Sequence, residues 1–210
     1  MTIRPVLIAF GLLVFAAPAA WAQAAPEQAR AALAVVQTQD RVLGRSDAPV
    51  TVIEYASFTC PHCAAWHQTV LPALKARFID TGQVRLVFRD LPTSPEGLSV
   101  PAAAMARCAV PEAYFDVAQA LMDGQPALRA GGDPNVWLSQ GAAKAGRPAA
   151  ELQTCMNDAA TQSALNAGVE AAVAGGVTGT PMFLVNGRLA EDSSLEGLSG
   201  LISGLLPPAR

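Results

Sequence analysis

Two cysteines separated by two residues, Cys60-Pro61-His62-Cys63, directly follow the strand-like run Val50 to Ala56. A Cys-x-x-Cys that opens a helix places its first sulfur among unpaired backbone N–H groups at the positive end of the dipole, where an anion is favoured. Cys60 is therefore the candidate thiolate nucleophile and Cys63 its resolving partner. A helix terminus supplies only about 0.3–1 kcal/mol, whereas one pKa unit is about 1.4 kcal/mol. Strong acidification of Cys60 thus needs direct N–H donors from His62 and Cys63, together with the His62 imidazole, which can donate toward the sulfur or set positive charge beside it. Favouring the reduced, ionised state makes the disulfide a better oxidant. A two-unit drop in pKa amounts to about 2.7 kcal/mol, or about 60 mV for a two-electron couple.

Other chemistries of a Cys-x-x-Cys fit less well. A zinc site would need further ligands, yet Cys108 and Cys155 have none near them in sequence, and His62 and His67 are the only histidines. A metal or copper-binding module built on Cys60, His62 and Cys63 stands as the alternative from another class. Covalent haem attachment requires histidine directly after the second cysteine, and position 64 is alanine. A purely structural disulfide in one helical turn closes too small a loop to add much stability. His67, one turn beyond Cys63, reads as an ordinary packing or surface residue.

A second constellation is Gly176-Val177-Thr178-Gly179-Thr180-Pro181-Met182-Phe183. Proline at the start of a strand suits an edge position, and its tertiary amide brings a cis bond within reach; the residues alone do not fix the isomer.

The elements that must position these groups follow from periodicity. Val50-Thr51-Val52-Ile53-Glu54-Tyr55 is rich in β-branched and aromatic residues after a turn marked by Gly44, Asp47 and Pro49, and predicts a central strand. Cys63, Trp66, Val70, Leu74 and Phe78 form an amphipathic helical stripe to about Asp80, with Pro61 in the tolerant first turn and Pro72 predicting a kink near Gln68. Val84 to Phe88 reads as a second strand, completing a β-α-β unit. From Leu91 to about Val173 no strand is predicted. Helical patterns recur at 97–109, 111–123, 134–146 and 148–173, a helical insertion at about 92–173. Pro181 to Val185 returns to strand chemistry, Asn186-Gly187 predicts a two-residue hairpin, and a last helix runs from Ser194 or Leu195 to Leu206.

Composition bounds the setting. The 210-residue chain opens with Arg4, an apolar stretch from Pro5 to Ala17 and the small-residue sequence Ala20-Trp21-Ala22. This predicts a signal peptide, residues 1–22, cleaved after Ala22, since the apolar run is shorter than the roughly 20 residues needed to span a bilayer. Residues 23–40 predict a short helical segment, and the main domain is expected at 41–206. With a formal net charge of −3 and no Lys or Arg cluster, nucleic acid is not an expected partner. The four cysteines in an exported chain imply two disulfides, with three connectivities open.

Together, Val52-Ile53-Glu54-Tyr55-Ala56-Ser57-Phe58-Thr59-Cys60-Pro61-His62-Cys63 and Gly176 to Gly187 resemble the DsbA-like branch of the thioredoxin superfamily of exported disulfide oxidoreductases. The resemblance covers about residues 42–206. It implies an α/β thioredoxin fold interrupted by a helical domain, with no cofactor, and a cis Thr180-Pro181 bond that faces Cys60 and lines the substrate groove. It also implies a possible proton-relay role for Glu54 beneath the cysteines, the competing reading being an exposed strand carboxylate. The expected partners are reduced or unfolded exported proteins and a membrane quinone-linked oxidase, DsbB-like or other, in the periplasm. Thr180 departs from the valine of the best-studied members and leans toward isomerase-like relatives, so an isomerase or reductase of the same fold is the nearest alternative. Cys108 and Cys155 are expected to form a structural disulfide, worth about 4 kcal/mol in the chain-entropy model, rather than a second redox pair.

Overall fold

The computed structural model describes residue 29 and residues 31–208. The predicted signal peptide and residues 23–28 and 30 of the predicted helical segment at 23–40 lie outside these residues; within the rest of that segment 29 and 31–33 are helical and the chain leaves the helix directly after.

Five strands form one sheet in the order β1-β3-β2-β4-β5. These are β1 (Arg41–Leu43), β2 (Val50–Ala56), β3 (Val84–Asp90), β4 (Met182–Val185) and β5 (Arg188–Ala190). Strand β2 is buried along its whole length because it has a sheet neighbour on each side and helices on both faces. It runs parallel to β3, Val50 opposite Val84 through Ala56 opposite Asp90, and antiparallel to β4, with Glu54 opposite Phe183. The parallel pair needs a crossover, and α1 (Pro61–Thr69) and α2 (Leu71–Leu74) supply it. The helix is interrupted at Val70, two residues before Pro72, which sits in the first turn of α2 where a missing N–H is tolerated, and the chain continues as a π-helical turn, Lys75–Ile79. Gly82, at φ +75°, ends the run in a conformation that favours glycine.

Between β3 and β4 lie α3 (Glu96–Cys108), a 3-10 turn at Pro111–Ala113, α4 (Tyr114–Arg129), α5 (Pro134–Ala142), α6 (Ala149–Asn157) and α7 (Ala159–Ala174). The single helix predicted at 148–173 is two. Asp158 adopts extended dihedrals (φ −66°, ψ 131°), and its carboxylate accepts the Ala160 N–H, so it stops α6 and caps α7. Cys108 and Cys155 join α3 to α6 through a disulfide, S–S 2.04 Å, across a sequence separation of 47. The hairpin turns at Asn186 and Gly187, both at positive φ. Finally α8 (Leu195–Leu205) is capped by Ser194 Oγ, which accepts from Gly197 N at 3.1 Å.

Three apolar clusters follow from this layering. One joins α1, α2 and α8 to one sheet face through Trp66, Leu74, Leu86, Phe183 and Leu198. Another packs α7 and the N-terminal segment on the opposite face around Ile53, Tyr55, Val87 and Leu184. The largest fills the helical insertion and reaches Phe58, Cys60, Cys63 and Phe88, so the cysteines sit at the seam between insertion and sheet.

Candidate active site

Strand β2 delivers the chain to Ser57-Phe58-Thr59, and Cys60 becomes the N-cap of α1, with Pro61 in the first helical turn. Its sulfur accepts the Cys63 backbone N–H at 3.4 Å, the bond an N-cap side chain makes at a helix start. The loop is locked from behind. The hydroxyls of Ser57 and Thr59 are 3.1 Å apart, Thr59 Oγ1 donates to Thr93 O at 3.2 Å, and Thr93 N donates to Ser57 Oγ at 3.1 Å. The carbonyl of Thr59 accepts Gln125 Nε2 at 2.8 Å, which ties the loop to α4.

The second constellation closes over the first. The Thr180–Pro181 peptide bond is cis, and Cys60 Sγ lies 3.4 Å from the carbonyl of Thr180, which accepts from the protonated thiol. Trp66 links the two sides from below: its Nε1 donates to Ser193 O at 2.9 Å and its ring packs on Phe183 with centroids 4.6 Å apart.

Both cysteines carry free thiols, Cys60 only 6% exposed and Cys63 fully buried. Their acidities are pushed apart. Cys60 is lowered from the ordinary 9.0 to about 5, first by the hydrogen bond from the Cys63 thiol, then, against the opposing cost of burial, by the Thr180 side chain and the backbone N–H groups of Cys63 and His62. Cys63 is driven strongly upward, first by burial, then by donating its proton to Cys60, then by the negative charge of Glu54. One sulfur is thus an anion at neutral pH and the other holds its proton, a division set by which of them lies at the open helix end.

Several expectations change in detail. The His62 side chain is exposed, and the group it brings to the Cys60 sulfur is its backbone N–H, because the first-turn backbone points at the sulfur while the side chain leaves the helix. Glu54 is not an exposed strand carboxylate: β2 is central and the side chain is fully buried. His67 is not a surface residue. It lies one turn beyond Cys63 on the buried face of α1, fully enclosed, with Nε2 at 3.1 and 3.0 Å from the two Glu54 oxygens. The four-residue spacing from Cys63 was the available signal, since it puts both side chains on one helix face. The metal module of Cys60, His62 and Cys63 is not formed: His62 is exposed while Cys63 is buried, and among the described residues no three His, Cys, Asp or Glu gather to hold a metal ion.

An acidic helix-capping thiol, a second, buried thiol one turn on and a cis-proline loop on this sheet order define a thioredoxin-type redox protein. Residues 36–203 match the Thioredoxin family model, and the chain belongs to the thioredoxin family, in its DsbA-like branch. Among curated proteins, one of Rickettsia prowazekii (strain Madrid E), named as a candidate protein-disulfide oxidoreductase, is 31% identical over 173 residues, covering 81% of this chain and 63% of that protein. The chain therefore spans less than two thirds of the length of that relative. Among solved structures, Wolbachia pipientis alpha-DsbA1 superposes with a TM-score of 0.72 at 26% identity, over 84% of this chain and 95% of that one. Oxidised BdbD from Bacillus subtilis shares the fold with a TM-score of 0.71 at 21% identity, over 80% and 92%.

Proposed function

We propose that this protein is an exported thiol:disulfide oxidoreductase that introduces disulfides into folding proteins through the Cys60–Cys63 pair. The opposed acidities of the two sulfurs carry the reading. A substrate thiolate attacks Cys60 Sγ of the disulfide, the Cys60–Cys63 bond breaks, and the electron pair leaves on Cys63, which takes up a proton. A second substrate thiolate then attacks the substrate sulfur of the mixed disulfide, and Cys60 departs as a stabilised thiolate. The substrate leaves oxidised and the enzyme leaves reduced. Pro61 and the His62 N–H shape the helix end that holds the Cys60 anion. Thr180 and Pro181 line the peptide groove, offering backbone contacts to an extended chain as an added strand would. Glu54 exchanges the Cys63 proton when Cys63 resolves stalled complexes.

The substrates on this reading are reduced proteins in the periplasm, reached through the leader at residues 1–22, and reoxidation falls to a membrane quinone-linked oxidase, DsbB-like or other. The structural role of the Cys108–Cys155 bridge is to pin α3 to α6. Thr180 before the cis-proline favours a second reading, an isomerase or reductase held reduced by its partner. Equilibration with glutathione separates the two. An oxidant equilibrates toward the DsbA value of about −120 mV, and a potential near the thioredoxin value of about −270 mV contradicts the oxidase role.

A further inference from the structure

Beneath Cys63 lies a buried acid–base pair that thiol exchange at Cys60 does not use. We propose that His67 is a positioning residue for the resolving step: its Nε2–H, shared between both oxygens of Glu54, holds that buried carboxylate in place as the base for Cys63. The inference deepens the oxidoreductase reading and rests on it.

Glu54 and His67 are both fully enclosed, and Nε2 is within hydrogen-bond distance of both carboxylate oxygens. His67 Nδ1 is buried with no partner. An imidazolium, or the Nδ1–H tautomer, would bury an unsatisfied N–H there, and the imidazolium would add an enclosed charge. The neutral Nε2–H tautomer leaves only a bare lone pair, the least costly orphan of the three. His67 therefore donates without cancelling the carboxylate's charge, unlike an ammonium or guanidinium partner. That uncancelled charge reaches Cys63, where it helps hold the proton on sulfur, and it also acts on the buried hydroxyl of Tyr114 in α4. Around the imidazole, the Trp66 ring lies edge-on at 5.4 Å and the Phe88 ring of β3 at 5.8 Å, and Lys75 and Asp116 share with His67 the wall of a cavity of about 290 Å³.

The proton and electrons balance through Glu54. When Cys63 resolves a mixed disulfide, its S–H proton passes to a carboxylate oxygen and its sulfur lone pair forms the Cys60–Cys63 bond. The Cys60–substrate bond breaks, and its electron pair leaves as the substrate thiolate. The other carboxylate oxygen keeps the His67 hydrogen bond throughout.

Reduced full chain mixed with dithiobis(2-nitrobenzoic acid) resolves the two steps, since the first thionitrobenzoate release reports Cys60 attack and the second reports Cys63 attack. His67→Leu is expected to slow the second release by about 10–100-fold, toward the loss that removing a general base causes, and to leave the first within about threefold. His67→Gln, which keeps a neutral donor, restores the second release to within about threefold of the parent. In a Glu54→Gln background, His67→Leu adds no further slowing, because both act through one carboxylate. A second release unaffected by His67→Leu, or slowed equally in both backgrounds, overturns the proposal. A slow first release in the unaltered protein, with Cys60 titrating as an ordinary thiol, instead removes the oxidoreductase reading and this inference with it. Should the leucine variant not fold, imidazole ¹⁵N shifts of the unaltered reduced protein decide: the neutral Nε2–H tautomer at pH 7 is expected, and an imidazolium overturns the proposal.

Discussion

At the scale of single residues, the chemistry proposed for this protein comes from two identical side chains made unlike by position. Cys60 sits where backbone N–H groups and a thiol donor converge, and Cys63 sits three residues on, where burial and a carboxylate oppose ionisation. This asymmetry has a signed consequence for stability. An acid whose folded pKa is depressed contributes stability that is full above its ordinary value of 9.0 and is lost as pH falls through about 5. A thiol whose folded pKa is raised costs stability once pH exceeds its ordinary 9.0, because the unfolded chain then releases a proton that the folded one keeps. The oxidised protein has neither thiol. The stability of reduced over oxidised protein is therefore expected to climb between pH 5 and 9 and to decline beyond, as read from paired urea denaturation curves. A flat difference across that range contradicts the assignment. Cys60 as the acidic thiol was legible from the Cys-x-x-Cys after a strand. The Glu54–His67 pair was not, because a strand carboxylate and a helix imidazole meet only when α1 packs on the sheet, and no local pattern encodes that packing.

At the scale of elements, the site is a seam. The active-site loop belongs to the β2–α1 junction, yet its Thr59 carbonyl is satisfied by Gln125 of the insertion, and Gln68 of α1 reaches Met122 O at 3.0 Å. Gln125 is 99% buried, so losing its amide strands the Thr59 carbonyl away from water. Gln125→Ala is expected to cost about 1–3 kcal/mol of global stability and to speed hydrogen exchange at the Cys60 to Cys63 amides. Unchanged exchange there would mean that the insertion does not brace the loop. The long periodic helices, the β-branched strands and the Asn186-Gly187 turn were readable from sequence because period and turn chemistry are local. The three-residue β1 was not, since its pairing with β3 rests on partners more than forty residues away. Nor was the break at Asp158, where a capping carboxylate interrupts an otherwise continuous alanine-rich run.

At the scale of the whole molecule, the helical insertion is held to itself by the Cys108–Cys155 bridge and to the sheet by the cluster that includes Cys60 and Cys63. The bridge lies between α3 and α6, outside the hydrogen bonds that set Cys60. Replacing both cysteines by alanine is expected to lower stability by about 2–4 kcal/mol while leaving the Cys60 titration in place. A shift of that titration by more than about one unit, a differential interaction of about 1.4 kcal/mol, would show that the bridge tunes the redox centre. The overall plan, a β-α-β unit, a long helical excursion and a returning hairpin, was legible from element order. Element order alone could not convey the closeness of two segments 120 residues apart, Cys60 and Thr180, which only the family resemblance implied.

Every step proposed for the substrate depends on Cys60 leaving as a stable anion. Thiolate absorbance of the reduced protein, followed as pH is lowered, measures this directly, with Cys60→Ser as the blank. A midpoint near 5 is expected, and a midpoint near the ordinary cysteine value of 9.0 would contradict the account.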